Sequence, residues 1–151
     1  MIPLADFRSA RLRDLYLYWD GIRGGRAMPA RPDVDPYAIK PLLPHVMMLD
    51  MVDGPAQPRF RFRLIGTAIT TYSGRDWTGR FVGEGSYGDH ADRLTIPHRQ
   101  VVRTGRPFRN EQYAPWYGKE YQYYERVLLP LSSDGDTVNI LLGGLEVINP
   151  P

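Results

Sequence analysis

The sequence predicts an α+β domain built on a five-stranded, mostly antiparallel sheet, with a helical insert between strands two and three and an extra N-terminal helix. Three observations carry this. Apolar residues recur every three or four positions between Leu12 and Ile22. Five runs of strand length fall two before and three after a helical stretch. Asp134-Gly135, a strong hairpin signal, joins the last two runs.

Leu12, Leu15, Tyr16, Trp19 and Ile22 form one stripe on the first helix, with Ser9 as N-cap and Gly24-Gly25 as its stop. Arg11, Arg13 and Asp14 take the opposite face. The stripe needs a cover, either the domain's own sheet or a second copy, which makes these five residues the candidate contacts of a homodimer. Residues 28–36 hold three prolines and predict an irregular crossing segment. Asp35 then caps a short helix with Pro36 at its first position, and Pro44 ends it.

His45 to Val52 barely alternates and reads as a strand buried on both faces. Arg59 to Ile65 alternates cleanly, which puts Phe60, Phe62 and Leu64 on one face and three arginines on the other, as an edge strand would. Thr67 to Tyr72 predicts a short helix closed by Gly74, and Asp76 to Gly79 a turn. After a glycine-rich stretch at 83–88, a helix runs from about Asp89 to Thr104, with Pro97 expected to kink or restart it. Strands at about 107–114, 121–130 and 137–148 complete the order.

Bulk properties narrow the function classes. A chain of 151 residues, 42% hydrophobic and 24% charged, fits a single globular domain, here 1–151, with a helical extension at about 7–43 and a core at about 44–149. Net charge is +2, and the arginines at 8, 11, 13, 23, 26 and 31 are interleaved with Asp6, Asp14 and Asp20. That alternation describes a solvated helix face rather than a one-sided phosphate-binding stripe, so no nucleic-acid partner is expected. There is no cysteine, which excludes disulfides, thiolate metal sites and the photoadduct of cysteine-dependent flavin sensors. No apolar run has signal-peptide or membrane-spanning length, so no membrane partner and a cytoplasmic location are expected.

The element order, with the last strand expected centrally beside the first, is that of PAS domains. Specific motifs add to it: Tyr18-Trp19 through Gly24-Gly25-Arg26, Met28-Pro29-Ala30-Arg31, and Asp33-Val34-Asp35-Pro36 leading to Leu42-Leu43-Pro44. Residues 60–67 (FRFRLIGT), 74–80 (GRDWTGR), 104–107 (TGRP) and 129–132 (LPLS) continue the set. In these the chain resembles a family of small, single-domain bacterial PAS-like proteins, best known from alphaproteobacteria. The resemblance implies a sensory and interaction module, often dimeric, able to hold a small ligand between sheet and insert. It names no ligand, so a site has to be argued from the residues.

Phe60, Phe62, Leu64, Tyr72, Trp77, Phe81 and Val101 are the candidate pocket residues, for a small apolar ligand. A filled core is the commoner fate of such side chains. Arg23, Arg26, Arg31, Asp33 and Asp35 read as an ion-paired brace of the proline-rich segment, with an anion or partner site as the other reading. His45, His90 and His98 lack metal-ligand spacing, and a lone His98 is a weak basis for haem, so no cofactor is predicted. Gly24-Gly25, Gly83, Gly85 and Gly143-Gly144 match no phosphate loop. Ser73, Ser86 and Ser132 lie in no nucleophile motif, and Glu111, Glu120 and Glu125 specify no reaction. Glu125 reads as a strand-surface partner for Arg126 or Arg63 across the sheet, with a buried acid as the other reading.

No catalytic residue is therefore assigned and the chain is not read as an enzyme. The expected function is a non-catalytic sensory module that works through a small ligand, an unknown protein partner, or both. A ligand-free structural adaptor is the alternative, and an enzyme using the same cavity a weaker one. With no kinase, cyclase or DNA-binding region in the sequence, the output is expected to pass through another protein.

Overall fold

The computed structural model describes residues 1–84, 90–116 and 118–151. Its strands are β1 (Val46–Val52), β2 (Arg59–Ile65), β3 (Phe108–Tyr113), β4 (Tyr123–Leu131) and β5 (Ile140–Ile148). They pair antiparallel throughout in the spatial order β2-β1-β5-β4-β3, so the first and last strands lie side by side. The helices are α1 (Ala10–Arg23), α2 (Thr67–Ser73) and α3 (His90–Thr104). Among the described residues, no helix is long and apolar enough to cross a membrane.

α1 begins where the sequence places it. Ser9 is extended, and its hydroxyl accepts from the Leu12 N–H at 3.1 Å, satisfying one of the free donors of the first turn. The expected short helix at 36–43 is a 3-10 helix over Pro36–His45 that breaks at Ile39 (φ −118°, ψ 22°). Pro41 and Pro44 supply no N–H inside it, so an α-helix has no ladder there. α3, in contrast, runs on through Pro97. The expected helix start at Asp89 lies outside the described residues, as do Gly85 and Ser86.

Strand alternation divides the sheet into two faces. The register sets Arg126 beside Leu145 and Asn110, and Leu128 beside Gly143 and Phe108, on the inner face, against which α3 packs. Glu125, Val127 and Leu129 look the other way, toward α1. The apolar stripe of α1 is thus covered by the domain's own outer sheet face: Leu12, Leu15 and Trp19 are each 1% exposed and Tyr16 is 4%. Trp19 Nε1 donates to the Pro130 carbonyl at 2.9 Å. A Cβ on Gly144 would sit 2.6 Å from Leu12 and 2.9 Å from Leu15, so this glycine lets the helix seat directly on β5. Four of the five residues proposed for dimer contact are buried within one chain, and Ile22 packs half-buried beside them.

β2 is an edge strand, as its arginine face suggests. Arg63 pairs with Asp50 at 2.8 Å, and Arg59 bonds Asp53. The free edge does not face solvent unpaired: the Phe62 N–H donates to Arg80 O, and the N–H groups of Gly79 and Val82 donate to the carbonyls of Phe62 and Phe60. The segment after α2 therefore doubles back along the edge and protects it.

Candidate functional site

A cavity of about 100 Å³ lies between the inner sheet face and the insert. Met47, Ile69, Leu145 and Tyr124 form apolar wall and floor, with Phe62, Trp77, Phe81 and Trp116 as an aromatic collar. Glu84 is the exposed residue of the described lining, and half-buried Trp77, Phe81, Val82 and Gly83 lie beside it, which marks the side nearest solvent.

Local structure fixes the collar. Trp77 sits in a turn where Asp76 Oδ1 accepts from the Thr78 N–H at 2.9 Å, and the Arg75 guanidinium lies 4.6 Å from its ring centroid. Phe81 is held by its bridge to Arg61 and by the Arg59 guanidinium 4.3 Å above its ring. Trp116 stacks on Tyr124, with ring centroids 5.4 Å apart and planes 14° from parallel, and its Nε1 donates to Gln122. Cation and ring contacts of this kind hold side chains in place at modest energy each.

Of the seven pocket residues expected from sequence, Phe62, Trp77 and Phe81 line the cavity. Phe60 is core, 1% exposed, its ring 5.2 Å from that of His98, and Val101 is fully buried. Tyr72 packs on His45 away from the cavity. Leu64 is a correction: it is 38% exposed. The β1–β2 register slips between Met48 and Leu49, so Met48 faces Leu64 while Leu49 faces Phe62. That bulge spends Arg63 as an extra residue and turns Leu64 to the outer face.

Two polar side chains that sequence reasoning did not place in the site complete it. His98 is 2% exposed and lines the cavity, its Nδ1 bonding the Leu94 carbonyl at 2.8 Å. Burial, with the nearby Arg126 charge, pushes its pKa down to about 3. Unfolded, this imidazole titrates at its ordinary 6.5, so below that value the unfolded chain binds a proton the folded chain refuses. Stability tied to His98 is complete above pH 6.5 and falls with pH toward 3. Between pH 6.5 and 5 the loss should be about 1.6 kcal/mol. Urea titrations at the two pH values check this; His98→Leu should flatten the slope, and an unchanged slope would contradict the assignment.

Arg126 is 3% exposed and also lines the cavity. Its Nε donates to Asn110 Oδ1 at 3.1 Å, while its Nη2 is buried with no hydrogen-bond partner among the described residues. The Asn110 amide in turn donates to Gln112 at 3.2 Å, and Gln112 to the Tyr124 hydroxyl. Beyond Arg126 itself, every group in this relay is neutral. The sequence carried a signal for it: Tyr124, Arg126 and Leu128 alternate together, placing a cation on an apolar face.

The three strand glutamates lie on the opposite side. Glu111, Glu125 and Glu146 are directly opposed across β3, β4 and β5 on the outer face. Glu125, fully buried, accepts from the Arg8 and Ser9 N–H groups at 2.9 and 2.8 Å and from Arg109 Nε at 2.8 Å. Its expected partner Arg126 points to the other face and Arg63 is spent on Asp50; Arg109, one pleat along β3, takes their place. Glu146 bonds Arg11 at 2.6 Å and the Ser9 hydroxyl. Burial pushes the Glu111 carboxyl up, but bonds from Arg109 and Arg8 outweigh it and hold the pKa below the ordinary value. These contacts fasten the start of α1 to the sheet.

The charged group around the proline-rich segment is likewise engaged. Arg26 bonds the Ile22 and Arg23 carbonyls and pairs with Asp33 at 2.9 Å, and Asp33 accepts the Ala30 N–H. Arg23 pairs with Asp20, Asp35 caps the following 3-10 turn through the Tyr37 N–H, and Arg31 bonds the Val34 carbonyl at 3.4 Å. These contacts tie the proline-rich segment to the end of α1, while Arg31 Nε is buried with no hydrogen-bond partner among the described residues. Among the described residues no group of three His, Asp or Glu side chains could hold a metal ion.

Comparison with known proteins agrees with the topology. A family model described as PAS domain matches residues 7–146. The chain is similar to the structure of a single-residue variant of RsLOV, with a TM-score of 0.55 and 13% identity over 95% of this chain and 71% of that one. It is also similar to the crystal structure of a LOV protein from Rhodobacter sphaeroides, with a TM-score of 0.50 and 12% identity over 93% of this chain and 69% of that one. At such identities the likeness concerns the fold. No curated protein matches.

Proposed function

This chain belongs to the PAS domain family, whose fold serves sensory and signalling modules, and we propose that it is a non-catalytic receptor for a small molecule held between the sheet and the insert. The observation that carries this reading is the aromatic-collared cavity of about 100 Å³ with polar side chains at its floor. For scale, an apolar cavity of roughly 150 Å³ accepts benzene. At about 100 Å³ the site is smaller than that, so it suits a short aliphatic chain, or a ring or one end of a longer molecule that reaches solvent past residues 77–84.

The fold supplies a route from occupancy to output. Tyr124, Arg126 and Leu145 face the cavity, while Glu125, Val127 and Gly144, their immediate neighbours, face α1. A ligand that shifts β4 or β5 changes the bed on which α1 rests. In this reading α1 or the surface around it meets a protein partner in the cytoplasm. Copies of the chain that associate do so through surfaces other than the α1 stripe, which the sheet already covers.

Native mass spectrometry of protein purified from its own host tests the reading. A retained small molecule, absent after unfolding and refolding, is the expected result. A bare chain mass under conditions that keep the fold, with no shift on incubation with host extract, would favour the ligand-free adaptor.

A further inference from the structure

We propose that the cavity receives the carboxylate of a small apolar monoacid, with Arg126 as its anchor; this rests on the receptor reading above and names its ligand class.

Arg126 is a charge held out of water. A guanidinium does not lose its proton in a protein, so Arg126 stays cationic at 3% exposure. Burying an ion costs several kcal/mol unless a counter-charge or a full set of hydrogen bonds replaces water. Around Arg126 the described groups supply one neutral acceptor, Asn110, and two ring faces at the limit of useful range, Phe108 at 5.9 Å and Tyr124 at 6.0 Å. Its Nη2 has no acceptor among the described residues.

The sheet could have paired this charge and does not. Arg109, its counterpart on the outer face, has Glu111 and Glu125. All three strand glutamates, Glu111, Glu125 and Glu146, lie on that outer face and are spent there on Arg8, Arg11, Arg109 and Ser9. Among the described residues the one carboxylate that lines the cavity, Glu84, is at the rim and is bonded to Arg80 at 2.9 Å. The inner face thus holds a fixed cation that lines an apolar cavity, with one nitrogen lacking an acceptor among the described residues.

The ligand's chemistry follows from what is missing and what is present. A carboxylate offers two acceptor oxygens in the plane that a guanidinium presents, and the pair neutralises both charges out of water. One guanidinium suits one negative charge; a phosphate dianion would bring a second charge and more lone pairs than the neutral floor can satisfy. A neutral ligand would leave the cation unmatched. The body of the acid meets Phe62, Trp77, Phe81 and Trp116, so it is aromatic or aliphatic and about one ring in size.

Benzoate and benzamide, equal in shape and different in charge, test the proposal on the full chain. Trp77 and Trp116 line the cavity, so their fluorescence reports entry. Benzoate should bind saturably, about tenfold or more tighter than benzamide. In Arg126→Gln, benzoate should fall to the benzamide level while benzamide is unaffected. Should that variant fail to fold, the comparison in the unaltered protein still decides. Equal binding of the two probes overturns the carboxylate assignment and leaves the receptor reading standing. No binding of either, to folded protein, overturns both.

Discussion

Glu125→Ala should lower the stability of this domain by about 3–5 kcal/mol and loosen its N-terminal segment. The substitution leaves two backbone N–H groups, of Arg8 and Ser9, without an acceptor and takes a carboxylate from a mostly buried Arg109. Each orphaned buried donor costs about 1–3 kcal/mol. One effect acts the other way. Glu125 stands directly between Glu111 and Glu146, and like charges opposed across a sheet repel. Arg8, Arg11 and Arg109 already offset that repulsion, so its relief returns little. Urea denaturation gives the loss, and hydrogen exchange should show amides at 8–12 opening well before those of β4. A loss below about 1 kcal/mol would mean that the buried carboxylate does not hold the segment. Glu125→Gln, which keeps an acceptor and loses the charge, should fall between the two.

Gly66→Ala should cost about 3 kcal/mol or more, or prevent folding. Gly66 links β2 to α2 with φ −69° and ψ 154°, a conformation open to any residue, so the cost is steric and not conformational. A Cβ there would lie 2.2 Å from the Pro44 carbonyl oxygen and 2.5 Å from that of Leu43. Both are backbone atoms, unable to rotate aside. Gly66 N–H also donates to Val46 O at 2.8 Å, so moving the residue away breaks the bond that starts the β1–β2 pairing. Gly25→Ala, with nothing within 4 Å, is the control and should change stability by no more than about 0.5 kcal/mol. Closely matching thermal midpoints for the two variants would contradict this crossing.

The difference between what sequence alone conveyed and what it did not lies in the range of the interactions. α1 was legible to its cap because Ser9, the stripe at three and four residues, and Gly24 are all local. The strands were legible by alternation, and β2 as an edge by its arginines. Their spatial order came from the resemblance to PAS domains rather than from any residue pattern. Leu64 was misplaced because a bulge depends on how β2 pairs with β1, which alternation within β2 does not encode. Of the expected pocket, Phe62, Trp77 and Phe81 were found because they are aromatics in strand and turn; Trp116 follows β3 and joins them through its stack on Tyr124 and its bond to Gln122.

Arg126 was overlooked for a physical reason. A cation in a strand is ordinarily solvated or paired with its neighbour, so the adjacent Glu125 looked like its partner. Adjacent strand residues face opposite sides, and the sheet is covered on both, so the two charges are buried apart. That separation anchors α1 on one face and leaves a cation in the cavity on the other.

A nitrogen-15 NMR titration of the full chain with benzoate tests that claim most directly, observing the arginine Nε–H and backbone resonances together. Saturable shifts of the Arg126 side chain and of the amides of Tyr124 and Leu145 are expected, with surface arginines such as Arg61 and Arg63 unmoved. Shifts confined to those surface arginines, with Arg126 silent at saturation, would contradict it.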